Sequence, residues 1–398
     1  MSFLSKKEKS EVFLVFDIGS ASIGAAIVLL SPGALPLMRY ATRVPIPFQE
    51  RATGVRLTSL MLRTLSHAAL LILHEGFRAA GWEERRPIVR ETLVSLSAPW
   101  SFSRTLFLHL ENAAPAIITE QVFMALLAEA EKEEERESGA ASFRTDAEVV
   151  ERKLIQARLN GYETARPYGK SASEAEFTLA LSYAPRGLVG QIADALSHAV
   201  RARRTSFHGF SLLSFAVLRD FFPERPDFLF ADISGEQTEV SLVKRGVLIA
   251  AATAPLGVNH FLRALQRELA VPQSAARSLF ALYARREGTG RLFERARRVI
   301  EKTKVKWEEG LGELLAGFSK ELPLPRHLLI TVDDEAAGVL LEAVSLGDWS
   351  RYTLGAVPLE TTLLSSEHLS ARVRFSSGAS PDPFLCLEAL FAERLRHA

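Results

Sequence analysis

The sequence has almost no cysteine and almost no net charge. Cys386 is the only cysteine among 398 residues, which excludes an internal disulfide and any metal site built from several thiolates, and favours a reducing compartment. Lysine and arginine total 48 against 47 aspartates and glutamates, so the net charge of +1 gives no overall field that would attract nucleic acid or anionic lipid. We therefore expect a cytoplasmic chain with no nucleic-acid partner.

The sequence also lacks the short motifs that identify common enzyme classes. It contains no G-x-x-x-x-G-K-[ST] phosphate loop, no G-x-G-x-x-G dinucleotide fingerprint, no G-x-S-x-G nucleophile turn and no H-E-x-x-H zinc helix. The sequence therefore contains no motif that would assign it to the P-loop ATPases, the dinucleotide-dependent enzymes, the α/β-hydrolases or the zinc proteases. No segment nominates a catalytic base, so the catalytic residues are unknown from the sequence.

No long apolar run is free of polar residues. The nearest candidate for a membrane span, Phe13 to Leu30, contains Asp17 and a cluster of glycines and serines. A carboxylate in hydrocarbon costs ~3 kcal/mol on insertion scales, and the Gly/Ser cluster interrupts the apolar run. We therefore interpret this stretch as a strand, a tight turn and a second strand.

The strand-turn-strand design occurs twice. The apolar run Phe13–Phe16 is followed by D-I-G-S at Asp17–Ser20, and the apolar run Phe228–Ala231 by D-I-S-G at Asp232–Gly235, 215 positions later. Either copy alone is weak evidence, because such turns also arise by chance in an apolar chain. An offset of this size is too long for a solenoid repeat and fits a duplicated domain. Helices such as Thr58 to Ala80 alternate with these strands, which indicates an α/β architecture.

Each turn carries the residue types that a phosphate site needs. Aspartate, glycine and small hydroxyl residues between two strands expose backbone N–H groups, which can cradle phosphate oxygens. An aspartate at the strand end can orient the water shell of a Mg²⁺ ion, so Asp17 and Asp232 are the candidate metal sites. The candidate nucleotide-binding residues are Asp17, Gly19, Ser20 and Ser22 in the first turn, and Asp232, Gly235 and Thr238 in the second.

These paired turns resemble the two phosphate motifs of the actin-like ATPase superfamily, and their order is most similar to that of its FtsA/PilM-like members. Phe13 to Val28 resembles the first motif and Leu229 to Gly246 the second. Ala254–Asn259 is similar to the glycine-containing segment that follows in FtsA. The resemblance implies a two-lobed actin-like (ribonuclease H-like) α/β fold that binds ATP and Mg²⁺ between its lobes.

A second part of the resemblance lies between the two motifs. Thr92–Pro99, Ile118–Val122 and Asn160–Lys170 resemble the opening strand, the helix start and a loop of the inserted SHS2-type α+β subdomain of FtsA. We expect this insertion, from about Leu93 to Tyr183, to be separable, with its own small sheet. The implied ranges are residues 1–91 and 184–225 for the first lobe, 92–183 for the inserted subdomain and 226–398 for the second lobe.

Three departures from the family pattern affect the expected nucleotide site. The lysine that follows the first turn in the family would fall at Ser22 or Gly24, so its positive charge is absent. Glu236 would place a carboxylate beside the phosphates. The family's T-G-G-G adenosine motif aligns with Thr331–Asp334, where Val332 and two aspartates replace glycines that let the backbone approach the nucleotide. We therefore expect ATP and Mg²⁺ to bind weakly or not at all.

The C-terminal segment Phe384 to Arg396 is amphipathic, and two interpretations of it stay open. In FtsA a terminal amphipathic helix binds the membrane, normally after a long linker. Here only Ser376 to Pro383 precedes the segment, and its polar face has few lysines and arginines. These features favour a final helix that packs on the second lobe.

The resemblance implies a cytoplasmic scaffold of bacterial cell division or pilus assembly, which works through protein partners at the inner face of the cell membrane. Self-association and an indirect or peripheral membrane contact are further options. The alternative is an actin-fold ATPase or kinase, in which Asp17 and Asp232 position Mg-ATP. These residues do not separate division from pilus assembly.

Overall fold

The computed structural model describes residues 10–48, 54–137, 147–320 and 322–397, which form an α/β protein with three sheets. The strands are β1 (Glu11–Ile18), β2 (Ser22–Leu30), β3 (Leu37–Pro45), β4 (Val89–Leu96), β5 (Phe102–Ile117), β6 (Ala147–Leu159), β7 (Tyr162–Glu163), β8 (Ser171–Pro185), β9 (Ala202–Gly209), β10 (Phe228–Ile233), β11 (Thr238–Lys244), β12 (Val247–Ala254), β13 (His327–Val332), β14 (Glu360–Leu363) and β15 (Arg374–Phe375). The α-helices are α1 (Gly54–Leu71), α2 (Phe77–Ala79), α3 (Glu120–Glu137), α4 (Leu188–Ser197), α5 (Phe210–Phe221), α6 (Val258–Leu269), α7 (Gln273–Arg285), α8 (Arg291–Ser319), α9 (Asp334–Val344), α10 (Ser366–Ser370) and α11 (Pro383–His397).

The first sheet has six strands in the order β15-β3-β2-β1-β4-β9. Its central strand β1 pairs antiparallel with β2 and parallel with β4. Both strands of the β1–β2 hairpin are buried along nearly their whole length, because apolar residues occupy both faces, as in sheets covered by helices on both sides. This hairpin confirms the strand-turn-strand that was predicted for Phe13 to Leu30.

The second sheet repeats the plan of the first. Its five strands have the order β12-β11-β10-β13-β14. Here β10 takes the place of β1, because it pairs antiparallel with β11 and parallel with β13. In both sheets the strand that ends in the D-I turn is therefore the one at the centre, as a duplicated domain requires.

Helices cover both faces of the two sheets. The helices α1 and α4 cover one face of the first sheet, and α6, α7, α8 and α9 cover the far face of the second. Between the sheets lie α5 and α11, whose Phe215 and Phe391 share one buried cluster with Phe13 of β1 and Phe230 of β10. This middle layer joins the two lobes through a common apolar core.

Four strands form a separate sheet in the order β5-β8-β6-β7, with α3 packed against one face. The expectation that this inserted unit begins at Leu93 is wrong, because Leu93 pairs with Val15 in the first sheet. The apolar run Leu93–Leu96 is buried on both faces, which suits the interior of a large sheet, and the separate sheet begins only at Phe102. Its assignment to the SHS2 type stays a prediction.

After β14 the chain returns to the first sheet. The strand β15 pairs with β3, and α11 packs on α5, β1 and β2 with Leu385, Leu387 and Phe391 buried. The final helix is therefore packed within the protein, although it lies between the sheets and not on the second lobe alone. Apart from the start of the insertion, the domain ranges that the resemblance implies stay a prediction. Residues 374–397, which those ranges assign to the second lobe, contact the first sheet through β15 and α11.

One helical stretch, Gly54–Ala79, is long and apolar enough to cross a membrane by length and composition. This is weak evidence for a span, because the core helix of a soluble protein passes the same test. Met61, Leu65, Ala68 and Ile72 of this stretch are buried against the first sheet. Its apolar face is thus already occupied by the protein.

Because Phe391 is 1% exposed within the shared core, truncating it should destabilise the whole protein. We expect Phe391→Ala to lower the free energy of unfolding by ~3–5 kcal/mol, as for other buried aromatic residues. Phe107→Ala is the matched control, since Phe107 is 61% exposed on β5, and it should cost less than ~1 kcal/mol. Urea unfolding measures both changes. Equal, small losses would mean that α11 does not pack as described.

Candidate functional site

The two turns that follow β1 and β10 touch each other between the sheets. The Ser20 Oγ lies 2.9 Å from the Ser234 Oγ, and the Glu236 N–H donates to the Ser20 Oγ at 2.8 Å. The Ser234 hydroxyl lies within donating distance of two carbonyl oxygens, that of Gln237 at 2.9 Å and that of Ala98, just after β4, at 3.2 Å. The structure therefore brings the two halves of the predicted site together.

The backbones of the two turns are also in direct contact. Gly235 lies so close to Ala21 that a Cβ added to the glycine would be 2.6 Å from the Ala21 Cβ and 2.8 Å from its nitrogen. Only glycine fits at a contact this short. On its other side, Gly235 is covered by the backbone of Gly257. In this arrangement the two turns are in van der Waals contact at Gly235 and Ala21.

The polar groups of the turns are bonded within the protein. The N–H groups of Gly19 and Ser234 each donate to a carbonyl oxygen of their own turn, at 3.1 and 2.9 Å. The Thr238 hydroxyl donates to the Leu256 carbonyl oxygen at 2.6 Å. A phosphate needs several N–H donors directed into one cavity, and the N–H groups of Gly19, Ser234 and Glu236 already donate within the protein. Their assignment to nucleotide binding stays a prediction.

Asp17 pairs with an arginine that the sequence pattern did not reveal. The Arg43 Nη2 lies 2.8 Å from the Asp17 Oδ2, and the Arg43 Nη1 donates to the Ser22 Oγ at 3.0 Å. Asp17, Gly24 and Arg43 lie opposite one another on the adjacent strands β1, β2 and β3. Because Gly24 has no side chain, the guanidinium can cross β2. A Cβ at Gly24 would lie 2.8 Å from the Arg43 Nη2. Arg43 thus supplies a positive charge that was expected to be absent.

Arg43 also joins this site to the C-terminal helix. Its Nε and Nη2 donate to the two carboxylate oxygens of Asp382, at 2.6 and 2.9 Å. Asp382 caps α11, because its Oδ1 accepts the Leu385 N–H at 3.0 Å, and Pro383 follows at the first helical position. One guanidinium therefore ties the first hairpin to the start of the final helix.

Burial raises the pKa of three aspartates at the site. Desolvation raises the pKa of Asp17 from 3.8 to about 6, although Arg43 lowers it. Desolvation also raises the pKa of Asp232 well above its usual value, and the charges of Glu239 and Asp17 add to this shift. The pKa of Asp333 is raised by the same loss of hydration. Asp17 and Asp232 are thus within electrostatic reach of each other, as the duplicated fold predicts.

Two carboxylate oxygens of this cluster could serve a cation. The Oδ1 atoms of Asp17 and Asp232 are buried and have no hydrogen-bond partner among the described residues. Oxygen ligands of this kind suit Mg²⁺, so the two aspartates fit the predicted metal better than the turns fit phosphate. Arg43 already places one positive charge beside Asp17, and the metal assignment stays a prediction.

Glu236, which follows the second turn, is bonded within the protein. Its two carboxylate oxygens accept hydrogen bonds from Arg263, at 3.1 and 2.7 Å, and one also accepts the Asn259 side-chain N–H at 2.8 Å. Both partners lie on α6. Glu236 is therefore paired with a cation and an amide of α6, and its expected place beside the phosphates stays a prediction.

The segment aligned with the adenosine motif joins β13 to α9. Val332 is buried in the core of the second lobe, and Asp333 lies just before α9. A cavity of about 310 Å³ lies here between the lobes, with Asp333, Arg43, Asn259 and Arg277 in its lining. The expectation that Val332 blocks this space is wrong, because its side chain points into the core. Charged side chains of both signs line the cavity instead.

The sequence patterns missed Arg43, Asp382 and Trp100. The Trp100 Nε1–H donates to the Gly19 carbonyl oxygen at 2.9 Å and so holds the first turn. Arg43 could have been found from the predicted hairpins, since their register places it across Gly24 from the first aspartate. Asp382 could have been found from its position before a proline and an amphipathic helix, which is typical of an N-cap.

Comparison with solved structures identifies the fold. The chain is similar to a chain of the PilM–PilN type IV pilus biogenesis complex, with a TM-score of 0.62 and 15% identity over 95% of this chain and 97% of that chain. The ethanolamine utilization protein EutJ from Carboxydothermus hydrogenoformans has a TM-score of 0.43 and 10% identity over 97% and 90%. MreB 5 of Spiroplasma citri bound to AMPPNP has a TM-score of 0.43 and 11% identity over 98% of both chains.

No protein-family model and no curated protein matches the chain. The likeness to the chain of the PilM–PilN complex nevertheless extends over nearly the whole of both chains, and our chain has the two-lobed actin-like fold that the duplicated turns predict. At this level of identity the likeness shows the fold and leaves the role to be argued from the site.

Removing Arg43 would leave Asp17 and Asp382 buried without their cation. We expect Arg43→Met to lower the free energy of unfolding by ~3–5 kcal/mol at about pH 7.5, as for other broken buried ion pairs. The loss should be smaller at about pH 5, because Asp17, whose pKa is already about 6, then carries a proton. Urea unfolding at both pH values measures the difference. Arg56→Met, at an exposed position of α1, should change stability by less than ~0.5 kcal/mol.

Glu239 lies opposite Asp232, and desolvation raises its pKa from 4.5 to about 7. The folded protein therefore binds the extra proton more tightly than the unfolded chain does. The stability that proton binding by Glu239 contributes is fully present below about pH 4.5 and is lost as the pH rises through 7. Glu239→Gln should remove this slope and raise the free energy of unfolding at about pH 8, by up to roughly 3 kcal/mol. Unfolding curves between pH 5 and 8 test this, and an unchanged slope in the variant would contradict it.

Proposed function

We propose that this protein is an actin-fold scaffold with a degenerate nucleotide site, which acts in bacterial pilus assembly or cell division. The proposal rests on the hydrogen bond between Ser20 and Ser234, which joins the two turns where nucleotide phosphates would be held. Lobes that are joined by their own side chains need no nucleotide to hold them together. Such a protein works through the surfaces that it presents to partners.

The likeness to the PilM–PilN structure supports pilus assembly as the first choice of process. That structure is of a type IV pilus biogenesis complex, and its similar chain matches ours over nearly the whole length of both. We infer that the partners are proteins of a comparable cytoplasmic machinery at the inner face of the cell membrane. Cell division and self-association are the next choices, and they rest on the sequence resemblance to FtsA.

The second candidate function is an actin-fold ATPase or kinase. Two observations favour it: Asp17 and Asp232 each keep a buried oxygen without a hydrogen-bond partner, and a cavity of about 310 Å³ lies beside Arg43. A kinase also needs a base within hydrogen-bond reach of its substrate hydroxyl. The aspartates at the site lie close to one another and to Arg43, and among the described residues none is identified as a separate catalytic base. This function therefore ranks second.

The degenerate site predicts that nucleotide stabilises the protein very little. At ~5 mM Mg-ATP, the melting temperature should rise by less than ~2 °C, because stabilisation scales as RT ln(1 + [L]/Kd) and Kd is in the millimolar range. Asp232→Asn is the informative variant. The amide keeps the shape of a carboxyl group whose raised pKa already favours its neutral form, so the variant should fold normally.

A micromolar Kd for Mg-ATP by calorimetry, lost in Asp232→Asn, would contradict the degenerate site and favour the ATPase. The same variant tests the role in cells. Deletion of the gene should remove surface pili while cells still divide, and Asp232→Asn should restore the pili. Filamentous cells after deletion would assign the protein to division, and failure of Asp232→Asn to complement, with normal protein levels, would favour a nucleotide-dependent activity.

A further inference from the structure

The exposed face of α8 carries a row of positive side chains. All members of the row are exposed, and they follow one another at spacings of four, three, four and four residues, which places them along one side of the helix. The row is ~22 Å long at a rise of 1.5 Å per residue. We call it the basic stripe, and its members are Arg291, Arg295, Arg298, Lys302 and Lys306.

The basic stripe belongs to a positively charged part of the chain. The segment Val258–Lys320, which contains α6, α7 and α8, has thirteen lysines and arginines, seven glutamates and no aspartate. Its net charge is therefore +6 in a chain whose net charge is +1. The small overall charge hides this separation, and an anionic partner could be attracted locally.

Most of the basic stripe has no acidic partner in the part of the chain that the structure describes. Among the ion pairs of the described residues, Lys302 contacts Glu268 at 3.6 Å, and the other four members of the stripe take part in none. By contrast, Arg297 lies off the stripe and pairs with Glu294 at 3.0 Å. The charges of these four side chains are therefore not neutralised by an ion pair among the described residues, and they face the solvent.

The basic stripe also opposes the dipole of its own helix. The N-terminal end of a helix favours acidic residues and the C-terminal end favours basic ones. In α8 the arginines lie in the first half, Glu308, Glu309 and Glu313 lie toward the C-terminal end, and the last turn contains no basic residue. Basic residues near the N-terminal end of a helix are unfavourable for the helix itself. Their presence here therefore indicates a role in contacts outside the protein.

Exposed aliphatic side chains flank the basic stripe. Leu292 is 45% exposed and Val305 is 47% exposed, and both lie beside the stripe on α8. From Phe228 to the end of α9, the large apolar side chains that the structure describes as exposed are all aliphatic, so no aromatic platform for stacked bases accompanies the arginines. Basic rows with aliphatic flanks are typical of surfaces that bind the headgroup region of a bilayer.

We propose that the basic stripe binds an anionic phospholipid surface, with α8 lying along the bilayer. Guanidinium groups can donate two parallel hydrogen bonds to one phosphate, and a row ~22 Å long reaches several headgroups at once. Leu292 and Val305 contact the upper part of the acyl chains. The proposal rests on the charges of α8, so it is independent of whether the turns bind nucleotide.

Cosedimentation with lipid vesicles tests the proposal on the full chain. The protein should bind vesicles that contain phosphatidylglycerol at ~50 mM salt and bind phosphatidylcholine vesicles much less. Most of the binding should be lost at ~300 mM salt, because screening weakens the attraction. Arg295→Gln combined with Arg298→Gln should weaken the binding at least tenfold, on the order expected for two cations at a lipid surface.

The matched control is Arg201→Gln combined with Arg203→Gln, which removes the same charge from two exposed arginines at the start of β9. This control should bind anionic vesicles as the original chain does, and thermal unfolding should show that both variants fold. Equal losses in both variants, or equal binding to neutral vesicles, would overturn the proposal. Tight binding of a single-stranded oligonucleotide with no binding of vesicles would overturn it as well and assign the stripe to nucleic acid.

Discussion

The contact between the turns after β1 and β10 is the constraint on which the arrangement of the two lobes depends. Ser20 and Ser234 share a hydrogen bond, and Gly235 packs on Ala21 with no space for a larger residue. Each turn ends the central strand of its own sheet, so a fixed distance between the turns fixes the sheets as well. The helices α5 and α11 also connect the two lobes, because they pack with both sheets in a common apolar core. The lobes are thus held together by contacts within the chain.

The electrostatics where the two turns meet depends on one arginine, which lies among several buried carboxyl groups. Arg43 reaches Asp17 across Gly24 and binds Asp382 with two hydrogen bonds, so one cation serves a carboxylate of β1 and the cap of α11. Burial raises the pKa of Asp232, which favours its neutral form. The cluster therefore reduces its own charge through an ion pair and bound protons.

The sequence was sufficient for the fold, because two D-I turns at the ends of apolar strands imply two sheets with the same plan. It was not sufficient for the site, because the decisive contacts come from distant segments. Glu236 is held by Arg263 of α6, and Leu93 pairs with Val15, and neither partner is visible from local pattern. Arg43 was within reach, since hairpin register alone places it opposite Gly24. The basic stripe was missed because charge was counted over the whole chain and not along one helix face.

The distance between the lobes, measured with and without nucleotide, tests the central claim most directly. Spin labels at Arg56→Cys on α1 and Ser278→Cys on α7 occupy exposed positions of the two lobes, and the native Cys386 is buried. Because the turns join the lobes without a ligand, the account predicts one narrow distance distribution that ~5 mM Mg-ATP does not change. A broad distribution that narrows with Mg-ATP, or a shift of several ångströms, would show that nucleotide controls the lobes and would contradict the account.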